Sequence, residues 1–260
     1  MKEFIKINYK IEIKKIYDSY FYYQNEKIKI IVKNEYIKDI NNYIKAINII
    51  NDKRISQFVL NKNNEIMTKY KDKYIILLKL NDIDENINLE YLKIFNKNIN
   101  NINEINIIDE WTKQIDLNEI EMKEQYKDYY IGLAEIALSM LKNNQGNELK
   151  VIGHNIKFEN ISKEELNNPL NFVIVDNIYS LANYIKYKYF IKKINYNEIE
   201  IIIKDLKNEH EKNRFLSYMI YPNYYFESKN KEKIVKKHKE YEKMIIFLKE
   251  IIKKWKKYLI

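Results

Sequence analysis

The 260-residue chain contains no cysteine, only three glycines and two prolines, and arginine at Arg54 and Arg214 alone. Without cysteine there is no disulfide framework, no thiolate zinc site and no cysteine nucleophile. Glycines at positions 132, 146 and 153 cannot build a G-x-G-x-x-G or a Walker A loop, each of which needs at least two at fixed spacing. No uninterrupted apolar run is long enough to span a bilayer, and the start, MKEFIKINYKIEIKK, lacks the apolar core of a signal peptide. The expectation is a soluble, cytoplasmic, mixed globular protein.

What is abundant is lysine, isoleucine and asparagine, together about half of the chain, and 24 tyrosines. This is the mark of an AT-rich genome on codon choice. The formal charge of +9 invites a nucleic-acid reading. Readers of bases and phosphates favour the planar fork of arginine, however, and the lysines here are interleaved with 37 acids. A solvated basic surface is expected, and a nucleic-acid partner is not. The same bias makes single lysine or asparagine matches cheap, whereas aspartate, histidine, glycine, proline and arginine carry more weight.

Hydrophobic patterning divides the chain near residue 80. Before it, residues 9 to 33 read as strands: Ile11 and Ile13 alternate with charges, and Tyr20 to Tyr23 leads through Gln24-Asn25-Glu26 to alternating Ile28, Ile30 and Val32. Ile37, Ile40, Ile44 and Ile47 then follow a helical period, and strand signals return at 57–60, 65–68 and 74–78. This predicts a small antiparallel sheet with one helix on it. After a polar stretch from Asn81, the pattern is mostly helical, with one amphipathic segment over 88–98 and another over 117–143 that closes on small residues and an Asn143-to-Asn147 C-cap signal. Two β-like runs follow, Leu149 to Ile152 and Asn171 to Val175, and from Ser180 the chain reads helical. The last stretch, from Lys229, is a basic amphipathic helix with Tyr241, Met244, Ile245, Leu248, Ile251, Ile252, Trp255 and Leu259 on one face. Its expected role is docking onto its own domain rather than onto a membrane.

A small sheet with one helix, then a helical region holding two short strands around a polar loop, resembles the protein-kinase-like fold. Ile152 to Ile161 resembles the kinase catalytic loop H-x-D-x-x-x-x-N, and Phe172 to Val175 ends on Asp176, where that family places a magnesium-binding aspartate. Ile30-Ile31-Val32-Lys33 resembles the strand whose lysine contacts the nucleotide phosphates, and Tyr74 to Leu80 the strand that leads to the hinge. Within the superfamily the chain is similar to the aminoglycoside phosphotransferase and choline kinase group, and most of all to its spore-coat-protein-S-like branch. The glycine-free phosphate loop, the short path to the metal strand and the stretch Arg214 to Phe226 carry that likeness. The resemblance implies an α+β, bilobal fold with an antiparallel-sheet N-lobe over 1–80 and a mainly helical C-lobe over 81–260.

It also assigns roles. Lys33 and Asn160 would hold ATP, and Asp176 with Asn160 would hold magnesium. In the register that keeps the spacing to Asn160, the catalytic aspartate is Asn155 and the preceding histidine is Gly153; sliding by one restores His154 but puts Ile156 at the aspartate position. An amide cannot take up the substrate's proton, so efficient transfer is not expected. Lys33 also reads as an edge lysine, Asp176 as a strand-terminal aspartate and Arg214 as an ion-pair anchor. The resemblance thus implies a catalytically impaired kinase-fold protein, requiring no cofactor or keeping only vestigial ATP and Mg2+ binding. It would serve in assembly with other proteins, in the cytoplasm or the spore coat. The rival expectation is an ATP- and magnesium-dependent small-molecule phosphotransferase.

Overall fold

The computed structural model describes residues 1–81, 89–95, 97–98, 102–121, 126–146, 148–156, 162–227 and 231–258. The chain divides into two compact units, one formed by Met1–Asn103 with Ser162–Ile174, the other by Glu104–Ile161 with Val175–Ile260.

The first unit is built on an antiparallel sheet. Strands β1 (Tyr20–Tyr23), β2 (Glu26–Lys33), β5 (Lys73–Leu80) and β3 (Gln57–Val59) lie in that order, and β4 (Met67–Tyr70) also pairs with β5. Gln24 and Asn25 turn the β1–β2 hairpin with positive φ, a conformation that asparagine tolerates. Period-two alternation gives the sheet two faces. One carries Phe21, Ile28, Ile30, Ile75 and Leu77, packed with Ile5 and Tyr9 of α1 (Lys2–Tyr9) and with Ile11 and Ile13. The other carries Ile76 and Leu78, both fully buried, opposite Ile31 and Lys29. Helix α2 (Asn41–Ile50) buries Tyr43, Ala46 and Ile50.

The residues around Ile11 and Ile13 form no strand; they are coil following α1 in which the two isoleucines are buried and Lys10, Glu12 and Lys14 exposed, with Lys10 in a left-handed C-cap. Of the expected series, Ile40 is buried at the N-cap of α2 while Ile37, Ile44 and Ile47 are half-buried, and the buried face of the helix itself is set by Tyr43, Ala46 and Ile50. Helix α3 (Leu89–Lys93) and α6 (Lys163–Asn167) complete the described helices of this unit.

The second unit is mainly helical and contains β6 (Lys150–His154) and the last two residues, Val175 and Asp176, of β7 (Phe172–Asp176). Its helices are α4 (Ile107–Glu121), α5 (Lys127–Lys142), α7 (Asn177–Phe190), α8 (Tyr196–Lys204), α9 (Glu209–Ile220), α10 (Asn223–Glu227) and α11 (Lys231–Tyr258). The amphipathic pattern expected over 117–143 falls on the end of α4 and on α5; residues 122–125 lie outside the described ones. Ala134 and Ala137 are fully buried, and their small side chains let α5 and α9 approach closely. Trp111 stacks on Tyr221 with ring centroids 3.7 Å apart. Lys186, fully buried on α7, donates to Tyr221 O at 2.8 Å and to Asn223 Oδ1 at 2.7 Å, pinning the corner between α9 and α10.

The apolar face of α11 is buried at Tyr241, Met244, Ile245, Leu248 and Ile251, and His238 stacks on Tyr126 while meeting Tyr130 OH through Nδ1. This portion of the last helix docks onto its own unit. Leu259 and the Trp255 side chain lie outside the described residues. Among those described, no helix is long and apolar enough to cross a membrane.

Candidate functional site

Strand β7 is an unbroken apolar run, Phe172 to Val175, and all five of its residues are buried. It delivers Asp176 to the start of α7, where Oδ1 accepts the Ile178 N–H at 3.2 Å and caps the helix. The second oxygen, Oδ2, accepts from Arg214 Nε at 2.8 Å and from Tyr218 OH at 3.0 Å. Arg214 and Tyr218 stand four residues apart on α9, so one helical face presents both donors. The side chains of the pair are 2% and 3% exposed.

Burial pushes the Asp176 carboxyl up from the usual carboxylate range, against the opposing pull of the Arg214 charge, the Ile178 N–H and the Tyr218 hydroxyl. Burial, reinforced by the Asp176 charge, also raises the Tyr218 hydroxyl well above its ordinary value. Edge contacts with Trp111 at 5.8 Å and Tyr179 at 5.2 Å hold the Tyr218 ring.

A cavity of about 390 Å³ opens beside Asp176 and Tyr218, lined also by Gln145, Glu148, Lys150 and Glu104. Lys150 pairs with Glu148 at 3.1 Å and with Glu104 at 3.3 Å. Burial lowers its pKa, but the two carboxylates outweigh that and raise it.

Gln145, Glu148 and Lys150, which follow α5, line this cavity together with Asp176. The Asn177 N–H donates to Leu149 O at 3.0 Å, which sets Asp176 at the Lys150 end of β6. Asn155 is exposed and follows the His154 end of β6. Asn160 lies outside the described residues. Lys33 is exposed at the far end of β2, opposite Tyr74. Its neighbour on the same face, Lys29, sits opposite Leu78 near the end of β5 and is half-buried.

Gly153, the position that the resemblance matches to a histidine, has no room for a side chain. A Cβ there would stand 2.2 Å from Val175 Cγ2 and 2.5 Å from Ser180 Oγ. Glycine is required by the approach of β7 and α7, a reason unrelated to chemistry at a loop.

Magnesium at Asp176 is what the kinase-like resemblance implies, and the described residues do not fit it. Both carboxylate oxygens already accept hydrogen bonds, and the place of a cation is taken by the Arg214 guanidinium. Among the described residues, no three His, Asp or Glu side chains converge in a way that could hold a metal ion.

Arg214 and Tyr218 were the partners that sequence reasoning did not connect to Asp176, although their i, i+4 spacing was visible. Lys29 was missed because it differs from Lys33 only in its place along the same alternation.

Two solved structures share this fold. The AMP-bound spectinomycin phosphotransferase matches 96% of this chain and 93% of its own with a TM-score of 0.58 at 14% identity. An aminoglycoside phosphotransferase from Alicyclobacillus acidocaldarius matches 94% of this chain and 92% of its own with a TM-score of 0.59 at 8% identity. The chain is an α+β protein with the kinase-like fold of these phosphotransferases, and at such identities the likeness is one of fold. No protein-family model matches the sequence, and no curated protein matches it at a significant level.

Proposed function

We propose that this is a kinase-fold protein that has lost efficient phosphoryl transfer and works as an assembly component through contacts with other proteins. The observation that carries the reading is the Asp176–Arg214–Tyr218 cluster: the carboxylate that would serve a metal ion in a phosphotransferase is buried and spent on holding α9 to the start of α7. The residue that would orient and deprotonate a substrate hydroxyl, Asn155, is an amide at an exposed position after β6. The spore-coat-like resemblance of the Arg214 to Phe226 stretch supplies the partner class.

The test is transfer from radiolabelled ATP with magnesium to a panel of alcohols and aminoglycosides, spectinomycin included. No transfer above background is expected, and Asn155→Asp should be equally silent. Turnover by the wild-type chain would overturn the proposal in favour of a small-molecule phosphotransferase. For the assembly role, crosslinking in the native host should capture defined protein partners; a chain that stays uncrosslinked to any protein would remove it.

A further inference from the structure

A second cavity, of about 370 Å³, opens at the start of α2. Its lining residues, Lys38, Asp39, Asn42, Tyr43, Ile102 and Asn103, all belong to the first unit. The volume falls within the range of about 300–1,000 Å³ usual for small-molecule sites. The fold fixes the walls. The Ile37 N–H donates to Met67 Sδ at 3.4 Å, and the Ile174 N–H donates to Asn103 O at 2.8 Å. Asp39 turns the chain into α2 with a φ of 56°, a conformation that aspartate tolerates.

The polar groups around this cavity are unpaired. Tyr43 is only 6% exposed, yet its hydroxyl has no hydrogen-bond partner among the described residues, where a buried tyrosine ordinarily finds one. Burial raises that hydroxyl above its ordinary value, which keeps it a neutral donor. Lys38 and Asp39 line the same cavity without an ion pair to each other or to any other described residue, and the Asn42 and Asn103 side-chain amides are equally without partners there. Helix α2 has no side-chain cap and no acid in its first turn. The Asn42 and Tyr43 N–H groups donate to Asp39 O and Ile40 O, which leaves the Asn41 N–H open among the described residues.

This set sorts the ligands that could enter. A phosphate-like dianion would meet a single ammonium and be repelled by the Asp39 carboxylate. A divalent cation would find one carboxylate beside a lysine, too few oxygen ligands of the right charge. A molecule with one charge of each sign leaves neither wall group unmatched, and amides and a hydroxyl can serve both of its ends.

We propose that this cavity binds the zwitterion of a free α-amino acid, its carboxylate held by Lys38 and the open start of α2, its ammonium by Asp39, with the Tyr43 hydroxyl as a further hydrogen-bonding group. The inference concerns the first unit alone and stands whether or not the chain transfers phosphate or assembles with other proteins.

The test is calorimetric titration of L-alanine into the full-length protein at neutral pH, beside its two half-charged analogues, propionate and L-alaninamide. L-Alanine should bind saturably and about tenfold or more tighter than either analogue, because each analogue leaves one charge of the wall unmatched. Lys38→Met should weaken L-alanine by about tenfold or more, and Tyr43→Phe, which keeps the ring, by about threefold. Asp39→Asn should weaken L-alanine while strengthening propionate. Lys38 is exposed and asparagine accepts a positive φ, so these variants should keep the wild-type fold by circular dichroism. Absence of saturable L-alanine binding, equal affinity for the analogues, or L-alanine binding untouched by Lys38→Met and Asp39→Asn would each overturn the proposal. None of these results bears on the ATP–magnesium transfer test, which involves neither the probe nor these residues.

Discussion

Replacing Asp176 by Asn removes a charge and keeps the shape. The amide oxygen can still accept the Ile178 N–H, but the Arg214 guanidinium, 2% exposed, is left without a counter-charge. At the observed 2.8 Å separation the direct attraction is about 6 kcal/mol with an effective dielectric of about 20. Breaking a buried pair from one side costs about 3–5 kcal/mol once relaxation is included. For a chain of this size that corresponds to a fall in Tm of about 10 °C. Arg214→Met should do similar damage by stranding the carboxylate, and the double variant should lose less than the two singles together, since an apolar pair carries no stranded charge. Differential scanning calorimetry of the four proteins closes the cycle. Glu12→Gln is the control: its partner Lys6 lies 2.9 Å away but both are exposed, and Tm should move by no more than about 1 °C. A fall no larger for Asp176→Asn than for Glu12→Gln, or strictly additive singles, would refute the claim that the carboxylate is spent on Arg214.

Other consequences follow from packing and from buried charge. Gly153→Ala should destabilise the protein by about 1–3 kcal/mol in urea titration, through overpacking against Val175, and Val175→Ala should recover part of the loss. Lys186 is fully buried, and burial lowers its pKa from 10.5 to about 7. Between about 7 and 10.5 the folded state therefore holds fewer protons than the unfolded one, so this residue's contribution to stability rises with pH across that window. The difference in Tm between wild type and Lys186→Met should change steadily from pH 7 to pH 10 in the wild type's favour; a constant difference would mean that Lys186 stays charged. Asn155→Asp, at an exposed loop position, should leave Tm within about 1 °C of wild type and confer no transfer activity.

Where the sequence was legible, the signal came from scarce residues and strict alternation. The β2 and β5 strands, the buried run ending on Asp176 and the docking face of the last helix were all visible in that way. Where it was not, isoleucine was the reason. Ile7, Ile201 and Ile246 are each more than half exposed, so in this chain an isoleucine does not mark the interior. That is why Ile11 and Ile13 read as a strand while being buried coil. It is also why Ile44 and Ile47 read as facing inward on α2 when Tyr43, Ala46 and Ile50 are its buried residues. Lysine blurred the site in the same manner: Lys29 and Lys33 share a strand face, and only the three-dimensional register shows which one lies near the end of β5. The Asn143 to Asn147 stretch reads as a helix C-cap, and Asn143 does cap α5, but the place of Gln145 and Glu148 beside Asp176 in the cavity goes with the pairing of Leu149 with Asn177. No local pattern encodes a contact of that range.

The central claim, a kinase-shaped chain whose metal-binding carboxylate has become a structural anchor, is tested most directly by thermal shift of the wild-type protein against ATP with magnesium. A ligand at 100 times its Kd would stabilise the folded state by about 2.7 kcal/mol. The account predicts no saturable rise in Tm up to millimolar ATP with excess magnesium. A saturable, magnesium-dependent rise of several degrees would contradict it.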